Sequence, residues 1–266
     1  MEIISVLLNY QEFNVGKGIP LVVIHGLFGA SDNWRSHILR WSEELHIISL
    51  DLRNHGRSFH AETMSYQMMA DDVVALLKHL NISQAHFLGH SMGGKVVMQL
   101  GLHYADMVSS LVIADIAPIQ YAPRHDDIFA GLKAVDMDSL QSRKQGLEIL
   151  ASYIDDARIC QFLIKSLYRN EVGDFAWRFN LDAVINEYLV ISSAIKGGTP
   201  YLGPVLVLKG GASSYILPEH RQAFGQILPN AELKVMSNCG HWLHAEKPDL
   251  FVRLVSRFIN SLPLGD

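Results

Sequence analysis

The sequence predicts an α/β fold, a mostly parallel central sheet with helices on both faces. Three observations carry that expectation. Short runs rich in Val, Ile and Leu alternate with helix-period stretches along the 266 residues, as they do when each strand returns through a helical crossover. The runs are nearly continuous in apolar residues, which suits strands covered on both faces. Hydrophobic residues make up 49% of the chain and charged ones 18%, enough apolar surface for a large buried core.

Taken in order, residues 3–8 and part of 11–15 read as an antiparallel hairpin at one edge of the sheet. The parallel strands follow at 21–24, 47–50, 86–88, 111–114, 205–208 and 233–236. Helices are expected at 66–80, 94–103, 219–227 and 249–262, the last with Pro248 placed for its first turn. From Ile119 to about Lys196 the alternation stops. That stretch shows no strand pattern, only four or so helical ones around 128–135, 147–154, 159–168 and 183–195. Gly197-Gly198-Thr199-Pro200 then turns the chain back to the sheet. Residues 1–118 and 197–266 are therefore expected to form one core domain, and 119–196 an inserted helical cap. The insertion carries Tyr121, Phe129, Phe162, Tyr168, Phe175, Trp177 and Phe179. These aromatics read either as its own small core or as the underside of a lid over an apolar pocket.

Charge and composition exclude several classes. The net charge is −5 and no Lys/Arg stripe stands out, so nucleic acid is not an expected partner. No window reaches the ~18–20 uninterrupted apolar residues of a membrane span. Met1-Glu2-Ile3-Ile4-Ser5 has an acid where a secretory leader carries a base. Cys160 and Cys239 are the only cysteines, too few for a disulfide scaffold or a four-thiolate zinc site. Both read as small buried hydrophobes, and a reducing, cytoplasmic compartment is expected. Nothing in the sequence fixes an oligomeric state.

The strongest chemical signal is Gly89-His90-Ser91-Met92-Gly93, between an apolar run and a helical one. A G-x-S-x-G string on a strand–turn–helix lifts its serine clear of the sheet, at a helix end whose N–H groups favour negative charge. Glycine at 89 and 93 is expected to relieve collisions with the neighbouring helix and strand. A serine nucleophile needs a base, and His241 follows the last strand. Parallel strands bring their carboxyl ends to one edge, so positions 91 and 241 converge there. His244 competes but lies farther along the loop, and His90 cannot readily face its neighbour. The base needs a carboxylate, and the loop after strand 205–208 offers none before Glu219. Asp115, at the end of strand 111–114, is assigned instead, with Glu219 a distant second. An oxyanion hole is expected from the backbone N–H groups of Leu27 and Met92, with Phe28 the alternate to Leu27. His25 is expected to brace that loop.

These residues together resemble the α/β-hydrolase superfamily across essentially the whole chain. Asp51-Leu52-Arg53-Asn54-His55-Gly56-Arg57-Ser58 is similar to its D-x-R-x-x-G-x-S loop, and Gly240-His241 with Glu246-Lys247-Pro248 to its histidine loop. More closely, the chain resembles small bacterial esterases of the YbfF type, through His25–Gly29, Arg53–Gly56, Gly89–Lys95, Asp115–Pro118, Trp177-Arg178-Phe179-Asn180 and His241–Pro248. The resemblance implies a helical cap, an acid after the same strand as Asp115, and hydrolysis of short- to medium-chain acyl esters and sometimes thioesters. A small-molecule ester is the expected partner, with no membrane partner, no metal and no organic cofactor. Phe28, Trp177, Arg178 and Trp242 are the candidate substrate-binding side chains, Arg178 for a carboxylate or phosphate. Carbon–carbon bond hydrolases of vinylogous diketones share the serine turn and a Trp like Trp242, and are the rival reading. A ligand receptor that only keeps the fold is a more distant one.

Overall fold

The computed structural model describes residues 6–262. Nine strands and eleven α-helices are described. In chain order they run β1 (Tyr10–Phe13), β2 (Leu21–Ile24), α1 (Arg35–Trp41), β3 (Ile47–Leu50), α2 (Tyr66–His79), β4 (Ala85–His90), α3 (Met92–His103) and β5 (Val108–Ala114). Then come α4 (Asp126–Ala134), α5 (Arg143–Ala151), α6 (Ala157–Ile164), β6 (Leu167–Arg169), β7 (Phe175–Trp177), α7 (Leu181–Asn186) and α8 (Tyr188–Ser192). The chain ends through β8 (Val205–Gly210), α9 (Arg221–Ile227), β9 (Ala231–Met236), α10 (Leu243–Glu246) and α11 (Pro248–Asn260).

Seven strands form one sheet in the order β1-β3-β2-β4-β5-β8-β9, parallel except for β1, which pairs antiparallel with β3. Alternate residues of the buried strands feed two cores. Val22, Ile24, Phe87, Ile113 and Val207 pack toward α2 and α3, and Leu21, Val23, Leu88, Val112 and Leu208 toward α1 and α11. A continuous apolar run is what a strand needs to fill both sides at once. α3 is buried from Met92 to Leu102. α2 begins where the Ser65 side chain accepts from the Met68 N–H, and α11 starts on Pro248, whose missing N–H costs nothing in a first turn.

The structure corrects three expectations. The edge hairpin does not form: residues 6–9 are not strand, Tyr10–Phe13 pairs with β3 alone, and positions 3–5 lie outside the described residues. The stretch from 119 to 196 does hold strands, since β6 and β7 make a two-stranded antiparallel hairpin. At three residues each they are too short to show a period of two. β9 is not covered on both faces. It is the sheet edge, and Leu233 and Val235 are more than half exposed.

Candidate active site

The carboxyl edge of the sheet gathers the end of each parallel strand, and the register sets the heights. Ile24 lies opposite Gly89, Gly89 opposite Ile113, Ala114 opposite Leu208, and Gly210 opposite Met236. One loop after each of these strands contributes to the same place.

Ser91 follows β4 and caps α3 at φ 53, ψ −118. No helix can start in that conformation without room around the turn, and the two flanking glycines supply it. A Cβ on Gly89 would sit 2.1 Å from the Gly93 carbonyl oxygen, and one on Gly93 would sit 2.5 Å from the carbonyl oxygen of His25. The Ser91 N–H is held by the Ala114 carbonyl at 3.0 Å. Its hydroxyl projects to His241 Nε2 at 3.0 Å.

His241 Nδ1 lies 2.8 Å from Asp115 Oδ2. A carboxylate only accepts, so Nδ1 carries the hydrogen and Nε2 is left to accept from the serine. Asp115 is wholly buried and also accepts from the Gly210 N–H at 2.9 Å and from the Ser213 hydroxyl. The structure brings Ser91, His241 and Asp115 together and leaves Glu219 exposed, away from this chain of contacts.

His241 is held at both its ring and its backbone. The Tyr215 ring stacks on it at 3.8 Å and 15°, and His90 Nε2 donates to its backbone carbonyl at 2.9 Å. Burial, with His244 and His241 close by, holds His90 well below the ordinary histidine range. Burial likewise takes His244 down to about 3. Both rings therefore stay neutral near pH 7, and neither adds a positive charge beside His241.

The loop after β2 turns at Gly26–Gly29, closed by the Gly29 N–H on the Gly26 carbonyl at 3.0 Å, with Phe28 at φ 61. His25 donates from Nδ1 to the Gly26 carbonyl at 2.8 Å and accepts the Leu52 N–H on Nε2 at 3.0 Å, so it braces the loop. The Met92 N–H opens α3 and has no acceptor within the helix. Leu27 and Met92 both line the cavity above Ser91.

That cavity measures about 350 Å³. Phe28, Ile116, Ile128, Phe162 and Trp242 give it apolar walls, and Lys95, Arg124 and His125 add polar groups. Two of the expected binding residues are not on its wall. Arg178 lies in the loop after β7 with its guanidinium over the Tyr168 ring at 4.4 Å. Trp177 stacks on Phe179 at 5.4 Å and 9°. Phe179 in turn packs on Phe28 at 4.9 Å, and the Ser166 hydroxyl donates to the Phe28 carbonyl at 3.1 Å. Trp177 and Arg178 thus belong to a buttress under the Phe28 turn, not to the lining.

The D-x-R-x-x-G-x-S loop is part of the same support. Asp51 accepts from the Ser31 and Arg57 N–H groups, and a Cβ on Gly56 would collide with its carboxyl at 2.2 Å. Asn180 ties this loop to α7, donating its N–H to the Asn54 carbonyl at 2.9 Å.

The arginine on the cavity wall is Arg124, over the rings of Tyr121 and Tyr215 at 5.1 and 4.7 Å. No motif marks it in the sequence. No motif marks Ser213 either, because its contact with Asp115 depends on β5 and β8 being neighbours. Among the described residues, no three His, Cys, Asp or Glu side chains are grouped to hold a metal ion. Nor is any described helix long and apolar enough to cross a membrane.

A serine on a strand–turn–helix, an imidazole in contact with it and a buried carboxylate behind, on a seven-stranded sheet, define a hydrolase of the α/β class. Comparison with known proteins agrees: residues 21–254 match the alpha/beta hydrolase family, and the chain belongs to it. It is 42% identical to a putative esterase/lipase of Haemophilus influenzae, over 96% of this chain and 88% of that protein. It is 38% identical to the esterase YbfF of Escherichia coli, over 93% of this chain and 95% of the other. Among solved structures, a marine microorganism esterase superposes with a TM-score of 0.92 at 36% identity, covering 96% of this chain and all of that one.

Proposed function

We propose that this alpha/beta hydrolase is a serine carboxylesterase that cleaves short- to medium-chain acyl esters, and acyl thioesters by the same step. The observation that carries the reading is the unbroken contact from Ser91 Oγ through His241 to Asp115 at the floor of an apolar cavity. Relatives named esterases along nearly the full chain support it.

His241 Nε2 takes the Ser91 proton as the oxygen attacks the ester carbonyl, and the Leu27 and Met92 amides hold the oxyanion. Each such donor contributes about 3 kcal/mol to the transition state. His241 then protonates the leaving alcohol, and a water activated by the same ring frees the acid. Asp115 keeps the ring in the Nδ1–H tautomer and stabilises its cation. The helices of residues 119–196 act as a lid whose apolar underside receives the acyl chain, with Phe28 and Trp242 on the wall. Arg124, on the cavity wall, takes the role expected of Arg178, facing a substrate carboxylate or phosphate. Trp242, which the carbon–carbon hydrolase reading shares, does line the cavity, while Arg178 does not. The proposed compartment is the cytoplasm, where the free and buried Cys160 and Cys239 stay reduced.

A p-nitrophenyl ester series from acetate to palmitate tests the proposal on wild type and Ser91→Ala. Turnover should peak at short to medium chains and fall by at least about 10³-fold in the variant. Wild-type turnover in Ser91→Ala would remove the serine from the mechanism.

A further inference from the structure

One buried cation in the cavity wall has no part in the chemistry above. Lys95 lies one helical turn beyond Ser91, its N–H on the Ser91 carbonyl at 3.2 Å. It is 1% exposed, and among the described residues no carboxylate lies within ion-pair distance of it. Its Nζ instead donates to the carbonyls of Ile119 at 2.8 Å and Ser193 at 2.5 Å. The rings of Tyr66 and Tyr121 lie 5.4 and 4.9 Å from the ammonium.

Those two carbonyls belong to the segments that lead into and out of the inserted helices. The segments also pair with each other. The Tyr121 N–H donates to Ser192 O at 2.9 Å and the Ile195 N–H to Pro118 O at 3.1 Å. The carbonyls of Ile119 and Ser193 stay outside that ladder, and both turn to Lys95. Ile116, Tyr121, Ile191 and Ser192, from the same segments, line the cavity with Ser91. Any shift of the pair therefore changes the shape of the pocket.

We propose that Lys95 is a positioning residue for ester hydrolysis: its ammonium ties both connecting segments to the nucleophile helix and so sets the width of the acyl pocket. Its kinetic consequence rests on the esterase reading above; the structural one does not. A charged side chain is a costly way to fill this space. Burial pulls the Lys95 amine down to about 7, and a methionine of similar length would fill the volume without that penalty. What the apolar chain lacks is N–H donors for two separate carbonyls, and the amine supplies these whether charged, with three N–H groups, or neutral, with two.

The experiment compares wild type with Lys95→Met and Lys95→Arg, using p-nitrophenyl butyrate and octanoate together with amide hydrogen exchange. In Lys95→Met, KM should rise about 5- to 10-fold with kcat held within about threefold, because ground-state placement and not chemistry is lost. The ratio of KM values for the two chain lengths should change as well. The Tyr121 and Ile195 amides should exchange at least about 10-fold faster while the amides of β5 and β8 do not change. Lys95→Arg, which keeps the charge and the donors, should restore most of the KM. If Lys95→Met fails to fold, Lys95→Leu, which also lacks N–H donors for the two carbonyls, is read the same way. A fall in kcat at unchanged KM would overturn the proposal, as would unchanged exchange at Tyr121 and Ile195. Should the wild type hydrolyse no ester, the esterase reading fails and the exchange measurement alone decides the tie.

Discussion

Seven non-glycine residues among those described have positive φ: Asn14, Phe28, Asn54, Asn81, Ser91, Asp115 and Asn238. Asparagine and aspartate tolerate that region; phenylalanine and serine do so less readily. The three that are not asparagine all stand at the site: Phe28 in the turn after β2, the serine Ser91 and the carboxylate Asp115. Backbone strain of this kind persists only where the surroundings hold it, and here they do. The Ser91 and Asp115 N–H groups are fixed by Ala114 and Leu208. Asp115 receives donors from His241, Gly210 and Ser213. An amide in its place must point an NH₂ at one of these donors, and it no longer selects the Nδ1–H tautomer. Asp115→Asn is therefore expected to lower kcat by about 10³- to 10⁴-fold, while Glu219→Gln should match wild type in the same assay. The reverse ranking would move the acid to α9's approach. The pairing of Asp115 with His241 was legible from strand order alone. The stacking of Tyr215 was not, because neither motif nor period marks a ring that meets its partner across a loop.

At the scale of elements, legibility followed burial and length. The expected bounds of β2 and β3 match the structure to the residue, because each is a short run, LVVI and IISL, bounded by polar or turn chemistry. β4, β5, β8 and β9 run longer than expected, since sheet pairing extends a strand through residues such as Ser110 and Lys209 that carry no apolar signal. α1 went unread. Its sequence, RSHILRW, lacks a clear stripe, and its place depends on His37, Ile38 and Trp41 meeting Phe251 of α11. The helix expected at 159–168 ran too far because Leu163, Ile164 and Leu167 continue a helical period. In the structure Leu167 starts β6, where it pairs with Trp177. Trp177 and Arg178 became pocket candidates through a resemblance in sequence, which does not tell a pocket wall from the support behind it; Trp177 reaches Phe28 only through Phe179.

For the molecule as a whole, the many buried histidines set a pH dependence. Burial lowers His55 and His244 to about 3 and His86 to about 4. Their folded values lie below the unfolded value, so between about pH 6.5 and pH 4 the unfolded chain takes up protons that the folded chain refuses. The contribution to stability is complete above about pH 6.5 and declines as pH falls through that window. At pH 5 each of the three costs up to about 2 kcal/mol, a large share of a typical folding free energy. Urea midpoints should therefore fall sharply from pH 7.5 to pH 5.0. A flat midpoint over that range would show that these rings are already charged in the folded protein.

The most direct measurement is covalent labelling with a fluorophosphonate at neutral pH, read by intact mass and peptide mapping. A single adduct on Ser91 is expected in the wild type, none in Ser91→Ala, and labelling at least about 10³-fold slower in His241→Ala. An adduct on any other serine, or His241→Ala labelled at the wild-type rate, would contradict an acyl transfer that runs from Ser91 through His241.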